Sequence, residues 1–224
     1  MSAESHALHK PAALEPPLGG LGVAVAGLFV AGLAISTIRA GGSPFPSPFG
    51  DAGDALAYFR DHPSAVRTGA VLQYASAIPL TLYTAAVAAR LRRVANGFGP
   101  ALAAIGGALA VVFLICSGLV SWALTVPEVV SDPALVRGLH TLAFLCGGPA
   151  NVMATGLLIA GIALSALPRQ LLTPWLISAG LVIAVIALCT TAALAVTAAA
   201  FLLPIARFTG MAWLIAAGFL LPRS

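Results

Sequence analysis

The segment between Arg137 and Arg169 constrains the fold of this chain more than any other. It contains no Asp, Glu, Lys or Arg between these two arginines, and Gly147-Gly148-Pro149 interrupts it once. About 20 apolar residues are enough to cross the hydrocarbon core of a bilayer. The segment therefore predicts a membrane-spanning helix that is long enough to tilt strongly or to project beyond the bilayer.

The composition of the whole chain leads to the same class of protein. Hydrophobic residues make up 60% of the chain and charged residues 8%, whereas a soluble domain carries about 25% charge. The apolar runs predict an all-α, polytopic transmembrane helical bundle with spans at 18–38, 68–89, 100–126, 133–167, 174–196 and 202–221, preceded by a disordered tail at 1–17. A five-span bundle with a re-entrant end is the alternative, because the join around 198–204 is weakly marked.

The arginines predict the orientation of the spans. Arg90, Arg92 and Arg93 lie in the short loop after span two, and short loops obey the positive-inside rule best. We therefore expect both termini to be cytoplasmic, with loop 39–67 and the turn between spans three and four on the outer face. The net charge of +4 does not indicate nucleic-acid binding, because the basic residues are spread over short loops.

Loop 39–67 has two parts. Residues 41–50 include three closely spaced prolines and cannot form a regular helix. Asp51 or Asp54 can cap a short helix that ends before Pro63. We interpret the loop as an amphipathic connector, and the alternative is a lid over a ligand.

The polar features near membrane depth supply the candidate ligand-binding residues. A Gly-Gly-Pro interruption frees backbone groups, which is tolerated in a membrane only where protein or a cavity satisfies them. Asn151 could line such a cavity, or it could hold two helices together through a hydrogen bond. The full set of candidates is His140, Asn151, Gln73, Tyr74, Gly147, Gly148 and Pro149.

Cofactor and metal chemistry find little support in the sequence. No predicted span contains Asp, Glu or Lys, and Arg207 is expected to extend from the start of span six towards the interface. The sequence therefore argues against proton-coupled transport, which usually needs an ionisable residue inside the membrane. A single histidine in or near a span argues against a haem held by two histidines. The polar residues of the outer face lack metal-ligand spacing, so we predict no metal and no cofactor; they are His62, His140, Asp51, Glu128 and Asp132.

Several stretches are similar to a known family. They are His62-Pro63, Arg67 to Arg93 with Pro79-Leu80, Leu139-His140 and Phe144 to Pro149. In these stretches the chain resembles an uncharacterised family of bacterial membrane proteins, known only as a domain of unknown function. The resemblance implies a six-helix protein of the bacterial inner membrane, and it transfers no catalytic residue.

Three hypotheses for function follow. The leading one is that the protein binds a small hydrophobic ligand or a protein partner through the outer loop and the hairpin of spans three and four, and is not expected to be an enzyme. We also expect contact with the lipid bilayer, and the protein partner could be a second copy of this chain in a homodimer. The second is a small transporter or channel-like protein in which Gln73, Tyr74, Pro79 and Asn151 line a path. The third is a membrane redox enzyme that uses His140 with Cys116 and Cys146, which lie at similar predicted depth.

Overall fold

The computed structural model describes residues 16–95 and 97–222. All regular structure in this part of the chain is helical, which confirms the all-α prediction. The predicted tail, 1–17, lies outside the described residues except for Pro16 and Pro17. The α-helices, in chain order, are α1 Leu18–Arg39, α2 Ala52–Asp61, α3 Pro63–Val94, α4 Phe98–Ala123, α5 Pro127–Ser131, α6 Pro133–Leu145, α7 Asn151–Ala166, α8 Pro174–Cys189 and α9 Leu202–Leu220.

Four shorter helical segments complete the architecture. A π-helical segment, Cys146–Ala150, joins α6 to α7, and 3-10 segments occupy Leu167–Arg169, Thr190–Leu194 and Thr197–Phe201. Within the described residues, six segments are long and apolar enough to cross a membrane, as predicted. They are Leu18–Arg39, Pro63–Val94, Phe98–Ala123, Pro133–Arg169, Pro174–Leu194 and Thr197–Leu220.

Four ends of the α-helices differ from the predicted span boundaries by three residues or more, and one of them is the end of span two, because α3 continues to Val94. Helix α3 begins at Pro63, so residues 63–67 belong to span two and not to the loop, because proline is favoured at the first helical position. Helix α4 ends at Ala123, since Pro127 already opens α5. Helix α8 ends at Cys189, where the hydroxyls of Thr190 and Thr191 donate to carbonyls three residues earlier and favour a tighter turn.

The spans form a closed ring. Each packs on the next: α1 on α3, α3 on α4, α4 on α6 and α7, α7 on α8, α8 on α9, and α9 on α1. Side-chain hydrogen bonds mark the two ends, with Arg67 donating to Thr125 at one and Arg90 to the carbonyl of Leu221 at the other. We call these the connector end and the terminal end. The span that contains α7 is the most buried of the six. In an 18-residue apolar stretch of this span, 61% is buried within the protein, against 28–44% in the corresponding stretches of the other spans.

The interface between α4 and α7 depends on glycine. A Cβ atom at Gly106 would lie 2.5 Å from the backbone nitrogen of Leu158, and one at Gly161 would collide with the backbone of Ala103. The two backbones can approach this closely only because neither glycine has a side chain. Small residues are the usual means by which membrane helices pack tightly.

The connector, residues 40–62, forms an ordered structure over one end of the ring. Of the two predicted caps, Asp51 or Asp54, it is Asp51 that caps α2, by accepting hydrogen bonds from the amides of Gly53 and Asp54 at 2.7 and 3.2 Å. Helix α2 then buries Tyr58 and Phe59 against α3 and α6 in a small apolar cluster. This packing holds the preceding proline-rich stretch above the centre of the bundle.

Candidate ligand-binding site

A cavity of about 630 Å³ lies beneath the connector. Five of the six spans and the proline-rich stretch contribute to its wall. Its wall is mainly apolar, with a small number of polar side chains. The lining residues are Phe29, Gly32, Leu33, Ser36, Phe45, Pro46, Ser47, Pro48, Val66, Gly69, Ala70, Gln73, Ser117, Ser121, His140, Ala143, Phe144, Gly147, Gly148, Leu203, Pro204, Arg207 and Phe208.

Aromatic rings and one histidine hold the roof of the cavity in place. The ring centroid of Phe45 lies 5.5 Å from that of Phe59 and 5.6 Å from that of His140, both in edge-to-face geometry. The Nε2 atom of His140 lies 3.1 Å from the carbonyl oxygen of Pro46. Because a carbonyl can only accept, Nε2 carries the proton of this hydrogen bond. His140 belongs to α6 and is only 4% exposed. Its hydrogen bond to Pro46 and its contact with the Phe45 ring therefore tie the connector to α6.

A chain of hydrogen bonds crosses one wall of the cavity. The amide nitrogen of Gln73 donates to the hydroxyl of Ser117 at 2.9 Å, and this hydroxyl donates to the carbonyl of Ala143 at 2.9 Å. The chain links α3, α4 and α6 at one level. It explains why a glutamine and a serine are found among apolar walls, since each satisfies the other.

The Gly-Gly-Pro interruption does not break the helix. The chain continues from α6 to α7 through the π-helical turn, in which the amide of Asn151 donates to the carbonyl of Cys146, five residues earlier. An α-helix would pair that amide with the carbonyl of Gly147. Arg207 of α9 donates to the Gly147 carbonyl instead, so the wider turn makes a backbone acceptor available to a neighbouring span.

The cavity is open on the side where α1 and α9 meet. These two helices are in close contact at the terminal end, where a Cβ atom at Gly218 would lie 2.8 Å from the backbone of Gly19. Towards the connector end both helices line the cavity. The exposed residues of the wall all lie on α1, α9 or the connector: Leu33, Phe45, Ser47, Pro204 and Phe208.

The depth of this opening is set by the positions of Leu33 and Phe208. Each lies six residues, or about 9 Å, from the connector end of its helix. Their exposed fractions are 44% and 47%. The opening therefore extends from the end of the bundle into the part of the spans that hydrocarbon surrounds.

The structure brings together four of the seven candidate residues. His140, Gln73, Gly147 and Gly148 all line the cavity. The other three do not. Tyr74 lies in an apolar groove on the outside of α3 and α4 beside Trp122, and Pro149 is buried but does not line the cavity.

Asn151 has the structural role that was weighed against ligand binding. It is 7% exposed, and its side-chain nitrogen donates to the carbonyl of Ala110 at 2.8 Å. This hydrogen bond joins α7 to α4. Asn151 borders a separate space of only about 20 Å³, room for about one water molecule.

Arg207 is the wall residue that the sequence analysis missed. It was expected to extend towards the interface, but its guanidinium turns inward, towards Gly147, with its central carbon 4.9 Å from the ring centroid of Phe29. The correction has a physical reason: a carbonyl and an aromatic face inside the bundle offer the guanidinium partners at its own depth. Its position five residues inside an apolar helix is the signal that could have identified it.

The other described residues that could carry chemistry provide less evidence for a functional site. Among the residues that the structure describes, no group of three or more His, Cys, Asp or Glu side chains could hold a metal ion. Cys116 and Cys146 are half-buried free thiols, and the redox pair stays a prediction. In the connector, burial raises the pKa of the Tyr58 phenol above its ordinary value.

Comparison with known proteins gives no family for this chain. No protein-family model, no curated protein and no solved structure matches it. The resemblance to an uncharacterised bacterial membrane family therefore stays a prediction. The fold and the geometry of the cavity define the class as a polytopic α-helical membrane protein with a cavity at one end of the bundle.

Proposed function

We propose that this protein binds a small amphipathic molecule, taken from the bilayer, in the cavity beneath its connector. The observation that carries the proposal is the cavity itself, about 630 Å³ in volume and open between α1 and α9. Ligand pockets are typically about 300–1,000 Å³, mainly apolar, with a few polar groups that orient the ligand. Both the size and the lining support a binding role.

The depth of the opening supports the bilayer as the source of the ligand. Leu33 and Phe208 border the cavity within the spanning part of α1 and α9. An acyl or isoprenoid chain could therefore enter sideways without crossing water. The roof of prolines and aromatic residues would cover the polar end of the ligand, which agrees with the lid interpretation of the connector.

Binding is better supported than transport. Below the cavity, α4 and α7 are in backbone contact at Gly106, and α1 and α9 are in backbone contact at Gly218. The small space beside Asn151 has room for about one water molecule. A transport path would need these helices to separate, whereas binding needs no such movement.

The proposed orientation places the connector outside the cytoplasm of a bacterial cell. Arg92 and Arg93 lie in the last turn of α3 at the terminal end, beside the short connection to α4, where the positive-inside rule applies best. A C-terminal fusion to a fluorescent protein that matures only in the cytoplasm should then fluoresce. A C-terminal fusion to a phosphatase that is active only outside should be inactive, and the reverse pattern would contradict this orientation.

Native mass spectrometry of the protein extracted in mild detergent tests the binding proposal. Leu33→Trp places a larger side chain at the opening, and Val30→Trp is a matched control on the same helix, because Val30 is 46% exposed but lies outside the cavity wall. We expect a stoichiometric small-molecule adduct on the wild type and on the Val30→Trp variant. The adduct should be reduced on the Leu33→Trp variant.

Two results would contradict the proposal. One is a wild-type protein that carries no adduct even after incubation with the lipids of its membrane. The other is an adduct that the Leu33→Trp and Val30→Trp variants retain equally, which would place the molecule elsewhere on the surface.

A further inference from the structure

Arg207 places a permanent positive charge in the wall of the cavity. It lies five residues, or about 8 Å, inside α9. Its described contacts are both neutral: the carbonyl of Gly147 and the ring of Phe29. None of the residues that line the cavity is Asp or Glu. A charged side chain inside a membrane is costly, and such residues are as a rule paired or functional.

The two neutral contacts leave most of the guanidinium's binding capacity unused. A guanidinium has five N–H donors in a planar fork, and the Gly147 carbonyl accepts from one side of it. Carboxylate and phosphate oxygens match the fork in a bidentate manner, and hydrogen bonds between opposite charges are about twice as strong as neutral ones. The site is therefore complementary to an anion.

The two largest of the other polar side chains in the wall, Gln73 and His140, already form hydrogen bonds within the protein. The amide of Gln73 donates to Ser117, and His140 donates to the carbonyl of Pro46. Both are used within the protein. Phe29, Phe144 and Leu203 supply apolar wall on three different spans. The cavity thus presents one cation at the side of an otherwise neutral, mainly apolar space.

We infer that the ligand is a single-chain amphiphile whose polar end is an oxyanion, a carboxylate or a phosphate monoester, and that Arg207 binds this end. The inference rests on the proposed function. It adds the chemical class of the head group and the residue that recognises it. The apolar chain would run along Phe29 and Phe144 and leave through the opening beside Leu33 and Phe208.

The test compares three C16 ligands that differ only in their polar end: palmitate, hexadecanol and hexadecyl phosphate. Each is titrated into the purified protein in a neutral detergent at about pH 8.5, where the carboxylate of palmitate is ionised. We expect the wild type to bind at least one anion about ten- to a hundredfold more tightly than the alcohol. Which anion binds more tightly distinguishes the carboxylate from the phosphate.

Arg207→Gln keeps a hydrogen-bond donor and removes the charge. In this variant the anions and the alcohol should bind equally, with the affinity for the alcohol unchanged. Arg39→Gln is the matched control, because Arg39 is an arginine at the same end of the bundle that donates to Thr68 and lies outside the cavity wall. It should keep the wild-type preference. Arg207→Lys should keep part of the preference.

The outcomes separate the inference from the proposed function. If none of the three ligands binds the wild type, the proposed function fails and the inference fails with it. If the wild type binds all three with equal affinity, the proposed function stands and the inference is overturned. A preference for the anion that survives in the Arg207→Gln variant also overturns the inference. If that variant does not fold, the preference of the wild type and of Arg207→Lys decides.

Discussion

Replacing Gly106 with alanine should push α4 and α7 apart where their backbones meet. The new Cβ atom would lie 2.5 Å from the backbone nitrogen of Leu158 and 2.7 Å from the carbonyl carbon of Leu157. Atoms of this kind pack at about 3.5–4.0 Å, so the helices must separate by about 1 Å. Because the nearest obstructing atoms belong to the backbone, no side-chain rotation can relieve the contact.

The cost follows from the loss of van der Waals contact across the interface. A gap of about 1 Å forfeits up to half of an interaction worth about 0.1–0.2 kcal/mol for each atom pair. Over roughly 25 pairs this is about 2 kcal/mol, within the range of about 1–3 kcal/mol for overpacked sites. The better helix propensity of alanine offsets this loss of stability by up to about 1 kcal/mol.

Gly27→Ala is the matched control, because a Cβ atom at Gly27 meets no atom of the described residues within 4 Å. The helix propensity gained is the same in both variants, so the Gly106→Ala protein should be less stable than the Gly27→Ala protein by about 2 kcal/mol. Equilibrium unfolding by SDS in mixed micelles measures the difference, with the fluorescence of the buried Trp213 as the signal. Equal stability of the two variants would refute the argument that backbone contact at Gly106 sets the packing of α4 and α7.

Three further predictions use different parts of the protein. Tyr58→Phe should stabilise the fold by about 1 kcal/mol in thermal unfolding, because the buried Tyr58 hydroxyl has no hydrogen-bond partner among the described residues. Since burial raises the Tyr58 pKa, the wild type, unlike this variant, should also lose stability as the pH rises through the raised value. Thr84→Val should give a similar gain in SDS unfolding, because the Thr84 hydroxyl also lacks a partner in the described part of the chain, whereas Thr81→Val, which removes a hydroxyl that donates within its helix, should give none. His140→Phe should raise the rate of proteolytic cleavage in residues 43–50 about tenfold, because it keeps a ring beside Phe45 but removes the hydrogen bond to Pro46; an unchanged rate would mean that the aromatic packing alone holds the connector.

Local sequence patterns predict much of the fold. The six spans follow from apolar runs that are long enough to cross a bilayer, and the membrane leaves no alternative to helices for such runs. The starts of α2 and α6 follow from Asp51 and Asp132, whose carboxylates accept hydrogen bonds from the first amides of each helix. These features depend on residues a few positions apart, so no tertiary information is needed to predict them.

Which residues line the cavity depends on how each helix is rotated about its own axis, and the local sequence does not determine this rotation. Gln73 and Tyr74 are adjacent, yet one lines the cavity and the other a groove on the outer surface, because successive helical residues point about 100° apart. The Gly-Gly-Pro stretch indicated an irregularity, but only packing against α9 decided that it would be a wide turn with a carbonyl for Arg207.

The sequence by itself thus determined the class of protein, the number of spans and a capped short helix in the connector, because bilayer thickness and helix capping act over short stretches of chain. The tertiary structure alone decided which face of each helix turns inward, and with it the cavity and the position of Arg207. The physical reason is that the facing residues come from distant parts of the chain: Phe29, Gly147 and Arg207 meet only when α1, the π-helical turn after α6, and α9 close the ring.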